Sequence, residues 1–311
     1  MWKKLDNLRL PIIAAPMFMV SNPKMAIECC KAGIVGSFPA HFPRTREQLT
    51  EWIDEMEAYY KENPDIPFAV NLVTHRTNKR YEGDLDLCVE RKIPIILSSK
   101  GAPGETCRKV HEYGGLVFHD VASRRHAEKA LEAGVDGLIA IAGGAGGHCG
   151  TINPFGLVNE IRQITDKPII LGGSISTGQD VLAAQAMGAT YAYMGTRFIC
   201  TQEANTKEGW KNAIVESKTG KDIILTSALD GAPTNWMKKS LVEVGVDLLA
   251  LENTPKRELY SGAKKLQGRY GDIYSAGHGT AAINDVPTVA ALVDNLEKEY
   301  NQAKDKLKAI L

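Results

Sequence analysis

The sequence predicts an α/β protein folded as a (β/α)8 barrel, with a smaller helical and irregular excursion after the eighth strand. The apolar runs of the predicted strands are nearly continuous, which is typical of parallel strands covered by helices. Eight strand-helix units in about 195 residues fit a closed barrel better than an open, doubly wound sheet. The eight apolar strands lie near residues 12, 34, 68, 93, 116, 137, 169 and 191.

Three repeated junctions support this alternation. Gly33, Gly134 and Gly188 each end a helical segment, and an apolar strand begins within a few residues. Glycine readily takes the left-handed conformation that closes a helix. The junctions therefore indicate repeated αβ units.

The elements run in order from a first strand at residues 10–15, which leads through Pro16 and Met17 into a helix with Ser21 as the expected N-cap. The last helix, residues 286–308, is amphipathic and is predicted to be the eighth barrel helix. The helices between the later strands are predicted over residues 44–61, 84–91, 105–113, 123–133, 154–165 and 177–187.

The regular pattern stops after the eighth strand. We expect residues 1–198 and 280–311 to form the barrel and residues 199–279 to form a smaller inserted segment over its mouth. No low-complexity linker separates the two parts, so the segment is expected to pack on the barrel.

Composition excludes several classes of function. The chain has 44% hydrophobic and 24% charged residues, and its 37 Lys plus Arg balance 37 Asp plus Glu. The chain has no excess of basic residues, so its charge gives no indication that it binds nucleic acid or an anionic membrane. No apolar run reaches the ~18 residues of a membrane helix, and the N-terminus lacks the apolar core of a signal peptide. We therefore expect a cytoplasmic protein.

The six cysteines are expected to be free thiols in a reducing compartment. They show no Cys-x-x-Cys spacing, and no convergent set of His, Asp or Glu predicts a metal site. Cys149 follows His148 directly, but neighbouring side chains in a loop usually diverge, so a thiolate pair is disfavoured.

The glycine-rich stretch 143–150 follows the apolar strand at 137–142 and contains five glycines. Without Cβ atoms, its backbone N–H groups are open to a flat or anionic ligand. His148 is the residue there suited to proton transfer near neutral pH. The alternative is a hinge or tight turn with an incidental histidine.

Two further loops predict a phosphate site. Gly172, Gly173 and Ser174 follow the seventh strand, and Gly195 and Thr196 follow the eighth. Barrels of this class commonly bind phosphate at these two positions, where a helix N-terminus also favours an anion. The alternative is that αβ loops are glycine-rich for structural reasons alone.

Residues at the ends of other strands are also candidates for the site, because the carboxyl ends of the strands meet at the barrel mouth. Ala15 to Met17 place a small residue and a fixed backbone beside the mouth, and the Asn71 amide suits the edge of a heterocyclic ring or, equally, a loop contact. Of His119 and Asp120, at most one points inward, because adjacent strand residues face opposite sides.

The remaining histidines are weaker candidates. His41, His75, His111 and His126 are expected at the solvated surface, and His278, in a glycine-rich segment, is a second candidate for the mouth.

A dinucleotide-binding fold was considered because of Gly144, Gly146 and Asp166. The glycine spacing is wrong, and Asp166 precedes a strand where the ribose-binding acid should end one.

Taken in order, these motifs resemble the nitronate monooxygenase family, formerly called 2-nitropropane dioxygenases, which are FMN-dependent TIM barrels. The resemblance covers residues 10 to about 240. The Ala-Gly-Gly-His and Met-Gly-Thr-Arg-Phe blocks together are its most specific part. The matching segments are Ala15-Pro16-Met17, Asn71-Leu72, residues 145–150, Gly172-Gly173-Ser174 and residues 194–198.

The resemblance implies that FMN is the cofactor and that His148 is the catalytic or substrate-binding histidine. Its phosphate would lie on Gly173, Ser174, Gly195 and Thr196. The flavin ring would lie against Ala15, Pro16 and Met17, with Asn71 at its polar edge and Gly146 beside it. The implied reaction oxidises an alkyl nitronate with O2 to a carbonyl compound and nitrite. A homodimer is left open.

Related enzymes on the same scaffold are FMN-dependent reductases of quinones or of enoyl-ACP, which use NAD(P)H. The enoyl reductases typically have an acidic residue where this chain has Gly144. Ser174 replaces a glycine common among relatives, and Asp120 stands where some quinone-reducing relatives have a lysine. Gly144 disfavours the enoyl reductases and Asp120 disfavours the use of NADH, whereas Ser174 keeps its backbone N–H and leaves the expected phosphate site intact. A flavin-binding or phosphate-binding module without catalysis is a further alternative, which the ionisable His148 disfavours.

Overall fold

A computed structural model describes residues 2–255, 258–266 and 271–310. Its strands, in chain order, are β1 Ile12–Ala14, β2 Ser37–Pro39, β3 Ala69–Val73, β4 Ile95–Ser99, β5 Leu116–Val121, β6 Gly137–Ile141, β7 Gly147–His148, β8 Ile169–Gly172, β9 Tyr191–Met194, β10 Ile223–Thr226 and β11 Thr234–Met237.

Eight parallel strands form the barrel wall in the order β1-β9-β8-β6-β5-β4-β3-β2. The two end strands meet through a parallel bridge between Ile13 and Val35. The N–H of Ala14 donates to the Val35 carbonyl at 2.9 Å, and the N–H of Val35 donates to the Ile12 carbonyl at 3.1 Å. The predicted (β/α)8 barrel is therefore confirmed.

Side chains alternate between the barrel interior and the surrounding helices, as the pleat of a strand requires. Ile95, Phe118 and Tyr191 belong to the inner cluster, whereas Ile96 and Val117 face the larger cluster under the helices. On each strand, the next inward-facing residue after the inner cluster lies two positions further along and reaches the mouth of the barrel. The alternation thus decides which strand-end residues can meet a ligand.

The α-helices are α1 Trp2–Leu5, α2 Pro23–Lys31, α3 Arg46–Glu62, α4 Tyr81–Glu90, α5 Gly104–His111, α6 Arg124–Glu132, α7 Pro154–Arg162, α8 Gly178–Ala186, α9 Thr196–Ile199, α10 Glu208–Glu216, α11 Lys238–Glu243, α12 Leu248–Glu252, α13 Ala263–Leu266 and α14 Val289–Lys308, with 3-10 turns at Gly220–Asp222 and His278–Ala282. The predicted glycine junctions are present, since Gly33, Gly134 and Gly188 have φ angles of +86°, +90° and +102°.

The predicted N-cap of the first helix is wrong by one residue. Asn22 is the cap and accepts the Met25 N–H at 2.9 Å, because Pro23 occupies the first helical position. Ser21 instead accepts the N–H of Met17 at 2.9 Å and donates to the Ala15 carbonyl at 3.3 Å. Ser21 therefore fixes the loop after β1.

The last helix, α14, starts later than predicted, because Thr288 caps it by accepting the Ala291 N–H at 3.2 Å. It packs between α8 and α2. The approach to α8 is close: a Cβ on Gly178 would lie 1.9 Å from the Leu296 carbonyl oxygen. Helix α14 thus occupies the place of a barrel helix.

The excursion contacts the mouth through a small antiparallel sheet. Strand β11 pairs with β10 on one side and with β7 on the other, where Thr234 faces His148 and Asn235 faces Gly147. Trp236 and Leu241 belong to a separate buried cluster beneath this sheet. Residues 256–257 and 267–270 of the predicted insertion lie outside the described residues, and the division of the chain at 199 and 279 stays a prediction.

No helix among the described residues is long and apolar enough to span a membrane, and the same residues contain no group of three or more His, Cys, Asp or Glu placed to hold a metal ion. All six cysteines are free thiols.

Candidate active site

A cavity of about 660 Å³ opens at the carboxyl ends of the barrel strands. This size is that of an ordinary small-molecule or cofactor site. Its wall includes every residue that sequence analysis selected for the site: Ala15, Pro16, Met17, Asn71, Gly146, His148, Gly172, Gly173, Ser174, Gly195 and Thr196. The structure brings these residues together, and their individual roles stay predictions.

The loops after β8 and β9 present backbone N–H groups to the cavity. Gly173 has φ +139° and Ser174 has φ +59°, so the chain turns sharply where β8 ends. Within the described ranges, no protein acceptor is assigned to the N–H groups of Gly173, Ser174, Gly195 or Thr196. Such free amides are suited to the oxygens of a phosphate.

The N-terminus of α8 contributes less to an anion site than sequence analysis expected. Thr177 and Asp180 form a capping box there. Asp180 accepts the N–H groups of Ser176 and Thr177, both at 2.9 Å, and adds a negative charge to the first turn. An anion at this side of the cavity would therefore meet the loop amides rather than the helix end.

Asn71, on β3, is buried and lines the cavity. Its amide nitrogen donates to the Leu97 carbonyl at 2.8 Å and to the Ser99 hydroxyl at 3.3 Å. Both donors are thus used within the barrel, so the amide oxygen is the Asn71 atom that a ligand N–H would meet.

His148 lies on β7 and lines the same cavity as the loops after β8 and β9. Its side chain is 45% exposed, and its Nε2 lies 3.1 Å from Oδ2 of Asp230, a carboxylate that is 14% exposed. Burial raises the pKa of Asp230, but hydrogen bonds from His148 and from the Ala232 N–H outweigh it and hold that pKa below its usual value. The Asp230 carboxylate therefore stays ionised beside the imidazole.

The glycine loop is held from the excursion. Asn235 is buried and donates from its amide to the Ala145 carbonyl at 2.7 Å. Gly277 donates its N–H to the Thr196 hydroxyl at 2.9 Å, and a Cβ on Gly146 would lie 2.9 Å from the Gly277 nitrogen. Residues far along the chain therefore set the position of the loop that carries His148.

Gly144 and Ser174, the two departures from the family pattern in the glycine loops, lie next to each other in space. Gly144 has φ +87°, and a Cβ there would lie 2.3 Å from Oγ of Ser174. Any side chain at position 144 thus conflicts with both the backbone and Ser174.

The expected surface position of His41 is wrong. His41 lines the cavity and stacks on Phe18 with ring centroids 5.1 Å apart, and burial lowers its pKa to about 4. His126 also lines the cavity, although it is exposed. His75 and His111 are exposed and bond to Thr77 and Asp136. The sequence offered no signal for His41, because Phe18 comes from another loop.

His119 points out of the barrel and bonds through Nδ1 to the Ser98 hydroxyl at 2.8 Å, whereas Asp120 lines the cavity. His278 donates its N–H to the Gly144 carbonyl at 2.9 Å, and its side chain is exposed. Sequence reasoning missed Asp230 and Asn235, which lie in the excursion, where no periodic pattern marks them.

Comparisons with known proteins agree with this architecture. A nitronate monooxygenase from Paraburkholderia phytofirmans is 25% identical over 96% of this chain and 94% of its own length. A dehydrogenase of a hydroxy-methyl-oxo-octahydroindene carboxyl-CoA from Rhodococcus jostii is 25% identical over 77% of this chain and 65% of its own length.

Solved structures show the same fold. FabK from Thermotoga maritima superposes with a TM-score of 0.80 at 25% identity, covering 99% of this chain and 97% of its own. Nitroalkane oxidase from Streptomyces ansochromogenes superposes with a TM-score of 0.81 at 22% identity, covering 97% and 99%. A family model described as nitronate monooxygenase matches residues 45–299. The chain therefore belongs to the nitronate monooxygenase family, and it is a flavin-dependent oxidoreductase.

Proposed function

We propose that this protein is an FMN-dependent monooxygenase that oxidises alkyl nitronates with O2 to carbonyl compounds and nitrite. One observation carries the proposal: His148, whose imidazole pairs with Asp230, lines the same cavity as two loops whose backbone amides have no protein acceptor among the described residues. A cationic or proton-accepting group and an anion-binding cradle therefore share one site.

The residues of the cavity fit FMN. The free N–H groups of Gly173, Ser174, Gly195 and Thr196 would hold its phosphate. The oxygen of Asn71 would accept the ring N–H, since its donors are already used. The wall formed by Ala15, Pro16 and Met17 would flank the ring, and Gly146 would leave room beside it. When bound, FMN supplies the electron acceptor that no side chain of the protein provides.

His148 has two compatible roles. As an imidazolium stabilised by Asp230, it would hold the negatively charged nitronate oxygens. As a neutral imidazole, it would accept the α-proton of a nitroalkane and form the nitronate in place. Trp236 and Ile273 of the excursion line the same cavity and limit the water around the substrate.

A second candidate is reduction of a quinone or an enoyl thioester by NAD(P)H. It is favoured by the relative named as a carboxyl-CoA dehydrogenase and by the fold shared with an enoyl reductase domain from Bacillus amyloliquefaciens, which superposes with a TM-score of 0.71 at 14% identity. Gly144 weighs against it, because this chain lacks the acidic side chain that the enoyl reductases typically have at that position.

The deciding experiment mixes the FMN-loaded protein anaerobically with propionate 3-nitronate or with NADH and follows the flavin absorbance. Fast reduction by the nitronate but not by NADH supports the monooxygenase. Fast reduction by NADH alone would assign the protein to the reductases, and absence of reduction by either donor would favour a binding module without catalysis.

A further inference from the structure

The carboxyl group of Asp120 has no role in the function proposed above. Asp120 lies two residues beyond Phe118 on β5, and Phe118 belongs to the inner cluster of the barrel. The pleat therefore turns Asp120 to the inside at the level of the mouth, where it lines the cavity. An acid at this position faces whatever fills the cavity.

One oxygen of this carboxyl group is left without a partner. Oδ1 of Asp120 is buried, and the described part of the chain offers it no hydrogen bond. A buried polar atom without a partner is costly unless a ligand or water satisfies it. Since the atom belongs to a cavity-lining residue, a bound ligand can provide that partner.

Besides Cys149, which follows β7, the charged and titratable groups that line the cavity with Asp120 come from five elements. Lys100 follows β4, Tyr193 lies on β9, His41 follows β2, His126 lies on α6 and His148 lies on β7. Among the described residues, none of them forms a hydrogen bond with Oδ1 of Asp120. Burial raises the pKa of Asp120 to about 7, and Lys100 acts in the opposite direction. Burial, and then Asp120, raise the pKa of Tyr193, so Tyr193 stays neutral.

The chemistry of a flavin ring completes the argument. Its polar edge carries one N–H donor and several acceptors, namely two carbonyl oxygens and a ring nitrogen. Asn71 offers its oxygen to the N–H, so the acceptors need a donor from another residue. An ionised carboxylate accepts only, whereas a protonated one can donate.

We propose that Asp120 is a binding residue for the flavin, which donates a hydrogen bond from its protonated carboxyl group to an acceptor at the polar edge of the ring. This inference rests on the proposed FMN cofactor. It follows that FMN binding takes up a proton, and that affinity is full at low pH and is lost as pH rises through the range in which free Asp120 ionises.

The test measures the dissociation constant of FMN for flavin-free protein between pH 7 and pH 9, by the change in flavin fluorescence. Above pH 7 the ordinary titration of histidine and of the FMN phosphate is largely complete. Wild-type affinity should fall by about tenfold per pH unit, as one coupled proton requires. Asp120→Asn is the matched control, because its amide keeps a donor that does not titrate. The FMN dissociation constant of this variant should vary by no more than about twofold between pH 7 and pH 9.

A second measurement does not depend on any variant. Calorimetry of FMN binding to the wild-type protein at pH 7.5, in two buffers of different ionisation enthalpy, should show net proton uptake of up to about one proton per FMN. Asp120→Ala should bind FMN more weakly at pH 7, without that proton uptake.

Three outcomes would overturn the assignment. Equal pH dependence in wild type and Asp120→Asn would show that another group titrates, and wild-type affinity that rises with pH would show that an ionised carboxylate accepts the ring N–H. Absence of proton uptake would exclude the coupling directly. If the protein bound no FMN at any pH, the proposed cofactor would fail as well, which distinguishes that failure from the failure of Asp120 alone.

Discussion

The two sides of the cavity are built from different parts of the chain. The loops after β8 and β9, which present free amides, are continuous with barrel strands. The side that carries His148 is a short strand, β7, that pairs with β11 of the excursion. We therefore expect cofactor affinity to depend mainly on the barrel and turnover to depend also on contacts made by the excursion.

The largest effect is expected from removing His148. His148→Ala should lower kcat/KM for propionate 3-nitronate by about 10²- to 10⁴-fold, the usual contribution of a positioned acid or base. FMN content should be unchanged, because His148 is not among the residues proposed to hold the flavin or its phosphate. Steady-state oxygen uptake and flavin absorbance measure the two quantities.

His75→Ala is the matched control, since His75 is exposed and bonds to Thr77 within its own loop. It should leave both quantities at the wild-type level. Full nitronate turnover by FMN-loaded His148→Ala would refute the role of His148 and remove the distinction between the two sides.

The next effect tests the hold of the excursion on the glycine loop. Asn235→Ala removes the hydrogen bond to the Ala145 carbonyl and should cost about 1 to 3 kcal/mol of unfolding free energy. Turnover should fall, because the strand carrying His148 loses a fixed neighbour, while FMN affinity changes little. Urea unfolding and FMN titration measure this.

Asn253→Ala serves as the comparison, because it removes a similar amide bond, to the Leu249 carbonyl at 2.9 Å, at an exposed position. It should be nearly neutral for turnover. If Asn235→Ala weakened FMN binding as strongly as it lowered turnover, the two sides of the cavity would not be independent.

A smaller effect is expected from the ion pair. Asp230→Asn should lower the rate with nitronate by no more than about fivefold, because the pair is partly exposed and such pairs contribute about 1 kcal/mol or less. Steady-state rates with propionate 3-nitronate check this expectation, with the exposed Asp305→Asn as the control. A rate equal to that of the wild type would leave Asp230 with a structural role alone.

The barrel was predictable from sequence because its signals are local. Each strand is a short apolar run, and several αβ junctions are marked by a glycine in the left-handed region, such as Gly33 and Gly134. The strand ends that face the mouth follow from the pleat, and for this reason Asp120, and not His119, lines the cavity.

The partners of His148 were not predictable, because they are remote in sequence and lie where no period exists. The bond from Asn235 to Ala145 joins residues 90 positions apart, and the segment around Asp230 alternates short strands with turns. His41 was misplaced for a related reason, since the ring that stacks on it, Phe18, comes from the loop after β1. Tertiary contacts between loops leave no signal in the local pattern of apolar, polar and turn residues along the sequence.

The smallest predicted effect concerns Ser174, on the barrel side. Ser174 holds φ +59°, which costs about 1 kcal/mol for a residue other than glycine. Ser174→Gly should leave the FMN dissociation constant within about twofold of the wild-type value, because the N–H that would bind phosphate belongs to the backbone.

Ser174→Gly should also remove the hydroxyl that lies 2.3 Å from the position of a Cβ at Gly144. Gly144→Ala should consequently be less destabilising in the Ser174→Gly background than alone, as thermal unfolding of the double-mutant cycle would show, although the φ of +87° at Gly144 remains unfavourable in both. Additive effects would mean that the two positions are independent, and a large loss of FMN affinity in Ser174→Gly would move the phosphate contact from the backbone to the hydroxyl.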